Sequence, residues 1–273
     1  TGTGKTAAFG LPILQRVDPK KAKVQALIVA PTRELGQQIA KHLFKYTKFL
    51  TEKVFIESVY GGEHIAKQMD RLKRPTQVIV ATPGRLMDLV NRKAIDLSEV
   101  NTVVLDEADE MLNMGFQPDI EKILTYPKNS INLWMFSATI PQEIKEIINN
   151  YMDPAHQSVR VDKQNVVNTL IEHQFLVCTI DTKVGLLIEF LKSQGAARGV
   201  VFCKTKAGAQ KLALQIASKN YTSDAIHGDL NQKERDKVMR AFKNKKLQVL
   251  VATDVAARGI DIDGLPRVIN IDL

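Results

Sequence analysis

The first residues of the chain, Thr1-Gly2-Thr3-Gly4-Lys5-Thr6, are of the types that hold a polyphosphate. They match the end of the G-x-x-x-x-G-K-[ST] loop. Gly2 and Gly4 allow the backbone to curl until its N–H groups face an anion, with Thr3 between them. The Lys5 ammonium can reach the terminal phosphates, and the Thr6 hydroxyl is a ligand for Mg²⁺. A helix starting here would point its positive end at the same anion. A plain glycine turn ahead of a helix is the alternative. About 100 residues further on, an apolar run ends in Asp106-Glu107-Ala108-Asp109. A carboxylate at a strand end can hold Mg²⁺, and its neighbour can orient or deprotonate a water. Taken alone, the cluster is equally an acidic helix start favoured by the macrodipole. Combined with Gly4-Lys5-Thr6, it points to hydrolysis of a nucleoside triphosphate.

These groups need a scaffold that brings strand ends together, and the pattern of the chain supplies one. Short apolar runs are each followed by a polar turn and an amphipathic stretch. Ala26-Leu27-Ile28-Val29-Ala30 precedes Pro31-Thr32-Arg33, and Val78-Ile79-Val80-Ala81 precedes Thr82-Pro83-Gly84-Arg85. Thr102-Val103-Val104-Leu105 precedes the acidic cluster, and Leu133-Trp134-Met135-Phe136 precedes Ser137-Ala138-Thr139. Later, Gly199-Val200-Val201-Phe202-Cys203 precedes Lys204-Thr205, and Val249-Leu250-Val251-Ala252 precedes Thr253-Asp254. Such alternation predicts βαβ units and parallel sheets. Between about Asp153 and Asn168 the pattern lapses, which predicts a linker able to span roughly 50 Å if extended. The expected fold class is α/β: two tandem doubly wound parallel-sheet domains, over 1–153 and 169–273, joined by a linker over 154–168.

Composition narrows the classes. With 273 residues, 44% apolar and 25% charged, the chain can build two soluble globular domains. Two cysteines, Cys178 and Cys203, exclude a disulfide framework and a four-cysteine zinc site. Both are expected to be buried apolar residues, in a reducing compartment such as the cytoplasm. No run of about 18 apolar residues occurs, so no membrane span is expected. A net charge of +8 favours polyanionic partners. Lys20-Lys21-Ala22-Lys23 and Lys243-Asn244-Lys245-Lys246 are expected to be solvated turns. Trp134, within a strand-like run, is expected in the core, and His227 either couples the domains or caps a turn.

Asp106-Glu107-Ala108-Asp109 is also the motif that names the DEAD-box RNA helicases, and the chain resembles that family along its whole length. Pro31-Thr32-Arg33-Glu34-Leu35, Gly61-Gly62, Thr82-Pro83-Gly84-Arg85 and Ser137-Ala138-Thr139 resemble further first-domain motifs in family order. Val201-Phe202-Cys203, Gln232-x-x-Arg235 and the run Ala252 to Asp261 resemble second-domain motifs. His227-Gly228-Asp229-Leu230 is most similar to bacterial members. The resemblance implies RecA-like domains, ATP and Mg²⁺ as ligands and RNA as partner. It implies that Lys5 and Thr6 bind phosphates and Mg²⁺, that Asp106 holds Mg²⁺ and that Glu107 positions the hydrolytic water as general base. Ser137 and Thr139 would link hydrolysis to strand separation, with Asp109 pairing to that segment. Gly259 and Asp261 would meet the nucleotide from the second domain. Pro31, Thr32, Arg33, Gly62, Thr82, Gly84 and Arg85 would line the RNA path in the first domain. Thr205, Gln232, Arg235 and Thr253 would do so in the second.

The loops suit a phosphate backbone. Thr82-Pro83 predicts a helix start with a capping hydroxyl and proline at the first helical position. Thr32 before Arg33 predicts another; Thr253-Asp254 offers a third, although Asp254 is a poor phosphate neighbour and a plain cap is the expected reading there. Free N–H groups at such starts bind anions, although ordinary helix termination explains each one singly. Contacts of this kind position a strand without reading its bases, so little sequence preference and strong salt dependence are expected. The choice of RNA over DNA rests on the resemblance alone.

Compared with the family pattern, both domains are expected to be incomplete. The adenine-reading motif and the strand before Gly2 would precede the chain, and the arginine-finger segment would follow Leu273. Almost no ATPase activity and poor folding are therefore expected of the isolated 273 residues. Two other readings compete. A P-loop kinase or metabolic NTPase would take a small acceptor and leave the second half unexplained. A non-catalytic RNA clamp would use ATP for affinity rather than unwinding.

Overall fold

The computed structural model describes residues 4–128, 131–160, 171–195, 197–253 and 264–272. Gly2, Thr3, Gly259 and Asp261 lie outside the described residues, as do Asp254 and positions 161–168 of the expected linker. The chain divides into two compact units, one running to Pro154 and the next beginning at Ala155.

The first unit is built on five strands: β1 (Ala26–Val29), β2 (Ile56–Val59), β3 (Val78–Ala81), β4 (Thr102–Asp106) and β5 (Asn132–Phe136). All pair in parallel, in the order β2-β3-β1-β4-β5. The apolar runs over β1, β3 and β4 lack polar alternation because both faces of these strands are buried. Their side chains still sort by the period of two. Leu27, Val29, Ile79, Ala81, Val103 and Leu105 enter one core. Ala26, Ile28, Val78, Val80 and Val104 enter the other.

Helices α1 (Lys5–Arg16) and α2 (Arg33–Thr47) close the second of these cores with Phe9, Ile13, Leu35, Ile39 and Leu43. The first is closed by α4 (Pro83–Asn91), α5 (Ala108–Asn113), α6 (Gln117–Leu124) and α7 (Gln142–Tyr151). A short helix, α3 (Ile65–Arg71), precedes β3. Strand order reverses between β1 and β4: β1 leads by α2 toward the β2 edge, and β4 leads by α5 and α6 toward β5. A crevice at the carboxyl ends of the strands follows from that reversal.

The second unit carries four parallel strands, β6 (Gly199–Cys203), β7 (Ser223–Ile226), β8 (Val249–Thr253) and β9 (Val268–Asn270), ordered β7-β8-β6-β9. Helices α8 (Lys183–Ser193) and α9 (Lys206–Ala217) pack on one face through Leu187, Leu191, Leu212 and Ile216. Helix α10 (Gln232–Lys243) buries Val238 and Phe242. The architecture is therefore two parallel-sheet α/β units, as the alternating pattern predicted.

Three smaller expectations have different outcomes. The lysine-rich turns are exposed, and Lys20, Lys21 and Lys23 pair with Glu52, Glu99 and Asp96. Trp134 is only partly buried, with the Arg16 guanidinium 5.5 Å from its ring. Cys203 is buried, and burial pushes its thiol up to about 11. Cys178 is exposed, contrary to expectation. Its segment pairs with no sheet among the described residues, so Phe175 and Val177 are also exposed, at 90% and 87%.

Candidate functional site

The glycine-lysine turn and the acidic strand end meet in the first unit. Gly4 caps α1 with φ +79°, a left-handed conformation open to glycine at little cost. A Cβ there would meet nothing within 4 Å, so the backbone angle, not crowding, favours glycine. Lys5 opens α1, and its Nζ lies 3.8 Å from Asp106 Oδ1 at the end of β4. Asp106 is 2% exposed and Lys5 is on the rim. The Glu107 N–H donates to Asp106 Oδ1 at 3.1 Å. Burial raises the Asp106 carboxyl above its usual range, and the Lys5 ammonium only partly opposes this. Glu107 is raised by burial first and by the adjacent Asp106 charge second. Its backbone sits at φ 52°, ψ 53°, a strained choice for a non-glycine residue that occurs where β4 turns into α5.

A crevice in front of these groups is lined by Gly4, Lys5, Thr6 and Ala7, by Asp106 and Glu107, and by Leu35, Gln38, His42 and Tyr46 from α2. The last three polar residues were not anticipated. Their spacing of four, which places Gln38, His42 and Tyr46 on one helical face, is the signal that identifies them.

The next strand end is tied to this one. Asp109 Oδ2 accepts from the Thr139 N–H at 2.9 Å and from the Thr139 hydroxyl at 2.8 Å. In return, the Asp109 N–H donates to Ser137 Oγ at 3.2 Å, and the Ser137 hydroxyl donates to the Thr139 carbonyl at 2.6 Å. Burial acts to raise the Asp109 carboxyl, but the hydrogen bonds from Thr139 and Ser137 outweigh it and hold the group below its usual range. The expected pairing of Asp109 with the Ser137–Thr139 segment is thus observed.

The remaining first-unit candidates follow the carboxyl ends of β1, β2 and β3. Pro31 and Thr32 are buried, and Thr32 Oγ1 accepts from the Leu35 N–H at 3.3 Å to cap α2. Arg33 lies 4.6 Å over the Tyr60 ring. Gly62 is exposed with φ +83°. Gly84 is exposed in the first turn of α4, and Arg85 NH1 donates to the Glu63 carbonyl at 3.0 Å. The Thr82 expectation needs correction: Thr82 is the N-cap of α4, but its hydroxyl makes no capping bond. Pro83, whose fixed φ is already that of a helix, sets the start of α4 without a bond from the Thr82 hydroxyl.

In the second unit, Thr205 Oγ1 caps α9 by accepting from the Gly208 N–H at 3.0 Å. Gln232 opens α10 and donates to Asp236 Oδ1 at 2.9 Å, and Arg235 lies one turn away. Thr253 is buried at the end of β8. His227 is buried beside Gln210, with Nε2 3.1 Å from Oε1.

The sequence comparisons agree with this layout. Residues 1–147 match the family model for the DEAD/DEAH box helicase, and residues 182–273 match that for the helicase conserved C-terminal domain. The chain is 43% identical over 274 residues to the DEAD-box ATP-dependent RNA helicase CshA of Bacillus subtilis, covering 100% of this chain and 55% of that protein. It is 44% identical over 273 residues to the ATP-dependent RNA helicase CshA of Listeria monocytogenes, covering 52% of that protein. The chain thus spans about half the length of the curated relatives it matches. Among solved structures, Saccharomyces cerevisiae Dbp5 bound to RNA and ADP BeF3 superposes with a TM-score of 0.88 at 31% identity, over all of this chain and 68% of that one. A DEAD box protein from Methanococcus jannaschii superposes with a TM-score of 0.56 at 38% identity, over all of this chain and 72% of that one. With both family models matched in order over paired α/β units, the chain belongs to the DEAD/DEAH box helicase family.

Proposed function

We propose that the protein is an RNA-dependent ATPase that locally unwinds or remodels RNA duplexes and RNA–protein complexes through ATP-driven closure of two RecA-like domains. These are assigned to 1–153 and 169–273, with a linker over 154–168. The observation that carries the reading is the 3.8 Å approach of Lys5 to Asp106, with Glu107 next to it at the mouth of one crevice. ATP is the substrate, and its terminal phosphates would meet Lys5 and the N–H groups after Gly4, with Gly2 and Thr3 completing the loop.

The residues present fit Mg²⁺. Asp106 is a desolvated carboxylate with the Lys5 ammonium nearby, and a divalent cation would stabilise its ionised form. Thr6 and Asp106 would hold the ion. When bound, the ion would neutralise charge on the phosphate oxygens. Glu107, with its raised carboxyl, is the assigned base that orients the attacking water. Ser137 and Thr139, held by Asp109, are assigned to pass the state of the phosphate site to the RNA loops. Gly259 and Asp261 are assigned to the nucleotide from the second domain.

RNA is assigned to Pro31, Thr32, Arg33, Gly62, Thr82, Gly84 and Arg85 in the first domain. Thr205, Gln232, Arg235 and Thr253 are assigned to it in the second. The described helices include none long and apolar enough to cross a membrane. The exposed free thiol of Cys178 suits a reducing compartment, and we assign the protein to the cytoplasm.

The test uses the full-length protein carrying Glu107→Gln. ATP-dependent RNA binding is expected to persist while turnover falls by at least about 10². Turnover equal to that of the unmodified protein would reject the role of Glu107. Failure of the unmodified protein to separate a short RNA duplex would replace unwinding with clamping.

A further inference from the structure

The loop between β2 and α3 is held by a hydrogen-bonded clamp that belongs to none of the recognised motifs. Glu63 is its hub. The Arg71 guanidinium, at the last turn of α3, donates from NH1 to Glu63 Oε1 and from NH2 to Glu63 Oε2, both at 2.8 Å. Its Nε donates to Glu57 Oε1 on β2 at 2.7 Å. A forked pair with a third bond fixes the guanidinium plane, which a lysine cannot do. The fully buried Gln68 donates to the Tyr60 carbonyl at 2.8 Å and to Glu63 Oε2 at 3.0 Å. The backbone of Glu63 is engaged as well, because its carbonyl receives Arg85 NH1 at 3.0 Å. At the other end of the loop, the Tyr60 ring lies under Arg33 and its hydroxyl accepts from Gln37 at 2.9 Å.

Both arginines assigned to RNA in the first domain therefore rest on the segment Tyr60–Glu63, which also carries Gly62 at φ +83°. A glycine-rich loop has many accessible conformations, and holding it in one requires fixed neighbours. We infer that Arg71 and Glu63 are positioning residues: the clamp they form sets the Gly61-Gly62 loop and the side chains of Arg33 and Arg85 in the geometry that receives a phosphate backbone. The inference rests on the RNA reading proposed above. Arg71 itself is spent on Glu57 and Glu63 and is not assigned a phosphate.

The test compares Arg71→Ala, Arg71→Lys and Glu63→Gln with the unmodified full-length protein. The probe is an unstructured single-stranded RNA, titrated into an ATPase assay at several salt concentrations. For Arg71→Ala the RNA concentration giving half-maximal stimulation is expected to rise about tenfold, while the KM for ATP measured at saturating RNA stays unchanged. Arg71→Lys keeps the charge without the fork and is expected to fall between the two. The slope of log affinity against log salt is expected to become shallower, because a loosened clamp displaces Arg33 and Arg85 from the phosphates. An unchanged half-maximal RNA concentration overturns the clamp. In an Arg33→Ala/Arg85→Ala background Arg71→Ala is expected to leave the slope unchanged, and a further fall of about one there identifies Arg71 as a direct phosphate contact and overturns the clamp. A parallel rise in the KM for ATP at saturating RNA, or a collapse of the melting temperature in Arg71→Lys, reduces the clamp to general structure. Absence of RNA stimulation in the unmodified protein overturns the RNA reading itself, which none of the other outcomes does.

Discussion

Asp109 and Thr139 join the carboxyl ends of neighbouring strands β4 and β5 through two bonds to one carboxylate oxygen, at 2.9 and 2.8 Å. The ionised carboxylate is the acceptor, so these bonds depend on charge. The Asp109 carboxyl is below its usual range in the folded protein, where the hydrogen bonds outweigh the effect of burial. The unfolded chain thus binds a proton first as pH falls. The contribution of Asp109 is expected to be complete above the ordinary aspartate range and lost as pH falls through the folded value. Urea unfolding between about pH 6 and pH 3 should show a shallower acid loss in Asp109→Asn than in the unmodified protein. Superimposable acid limbs would contradict this. Thr139→Val should cost about 1–3 kcal/mol, the usual cost of leaving a buried acceptor short of partners.

Asp106 has the opposite sign. Its folded carboxyl is raised, with burial the largest cause, so the native state keeps the proton to a higher pH than the unfolded chain does. The ionised group therefore destabilises the ligand-free protein increasingly as pH rises past the unfolded value. Asp106→Asn is expected to stabilise the ligand-free protein by about 0.5–2 kcal/mol at neutral pH, with the gain shrinking toward about pH 4. Adding ATP and Mg²⁺ should raise the melting temperature of the unmodified protein and not that of the variant. Calorimetry with and without chelator checks both halves.

Lys5 is on the rim, 3.8 Å from its carboxylate, and so adds little to folding. Lys5→Ala is expected to leave the protein folded and to raise the Asp106 carboxyl further, since the ammonium that opposes burial is gone. A lost charge-assisted contact to phosphate should weaken nucleotide binding by about 10–100-fold, since such bonds are worth about 1.5–3 kcal/mol. Titration with a fluorescent ATP analogue measures it. Unaltered affinity would detach Lys5 from the triphosphate.

Helix α10 begins with a capping box. Asn231 Oδ1 accepts from the Glu234 N–H at 3.1 Å, and Glu234 Oε2 accepts from the Asn231 N–H at 2.8 Å. The box sets the turn that presents Gln232 and Arg235. Asn231→Ala should destabilise the second unit by about 1 kcal/mol. It should also raise the RNA concentration needed for half-maximal ATPase stimulation. Circular dichroism melts and RNA titration of the full-length variant test the two together.

Local chemistry made much of this protein legible from its residues in order. Strand and helix alternation follows from apolar runs too short to be helices, and Gly4-Lys5-Thr6 and the Asp106 strand end each carry the chemistry of a phosphate site. The pairing of Asp109 with Ser137 and Thr139 was accessible only through resemblance, since 28 and 30 positions separate the partners. The clamp was not accessible at all. Glu57, Glu63 and Arg71 are ordinary surface residue types whose meaning comes from α3 folding back beside β2, a non-local arrangement that no spacing rule encodes. The Thr82 hydroxyl and exposed Cys178 are of the same kind. In each case residue type set what the side chain can do, and only the surrounding fold decided whether a partner was within reach.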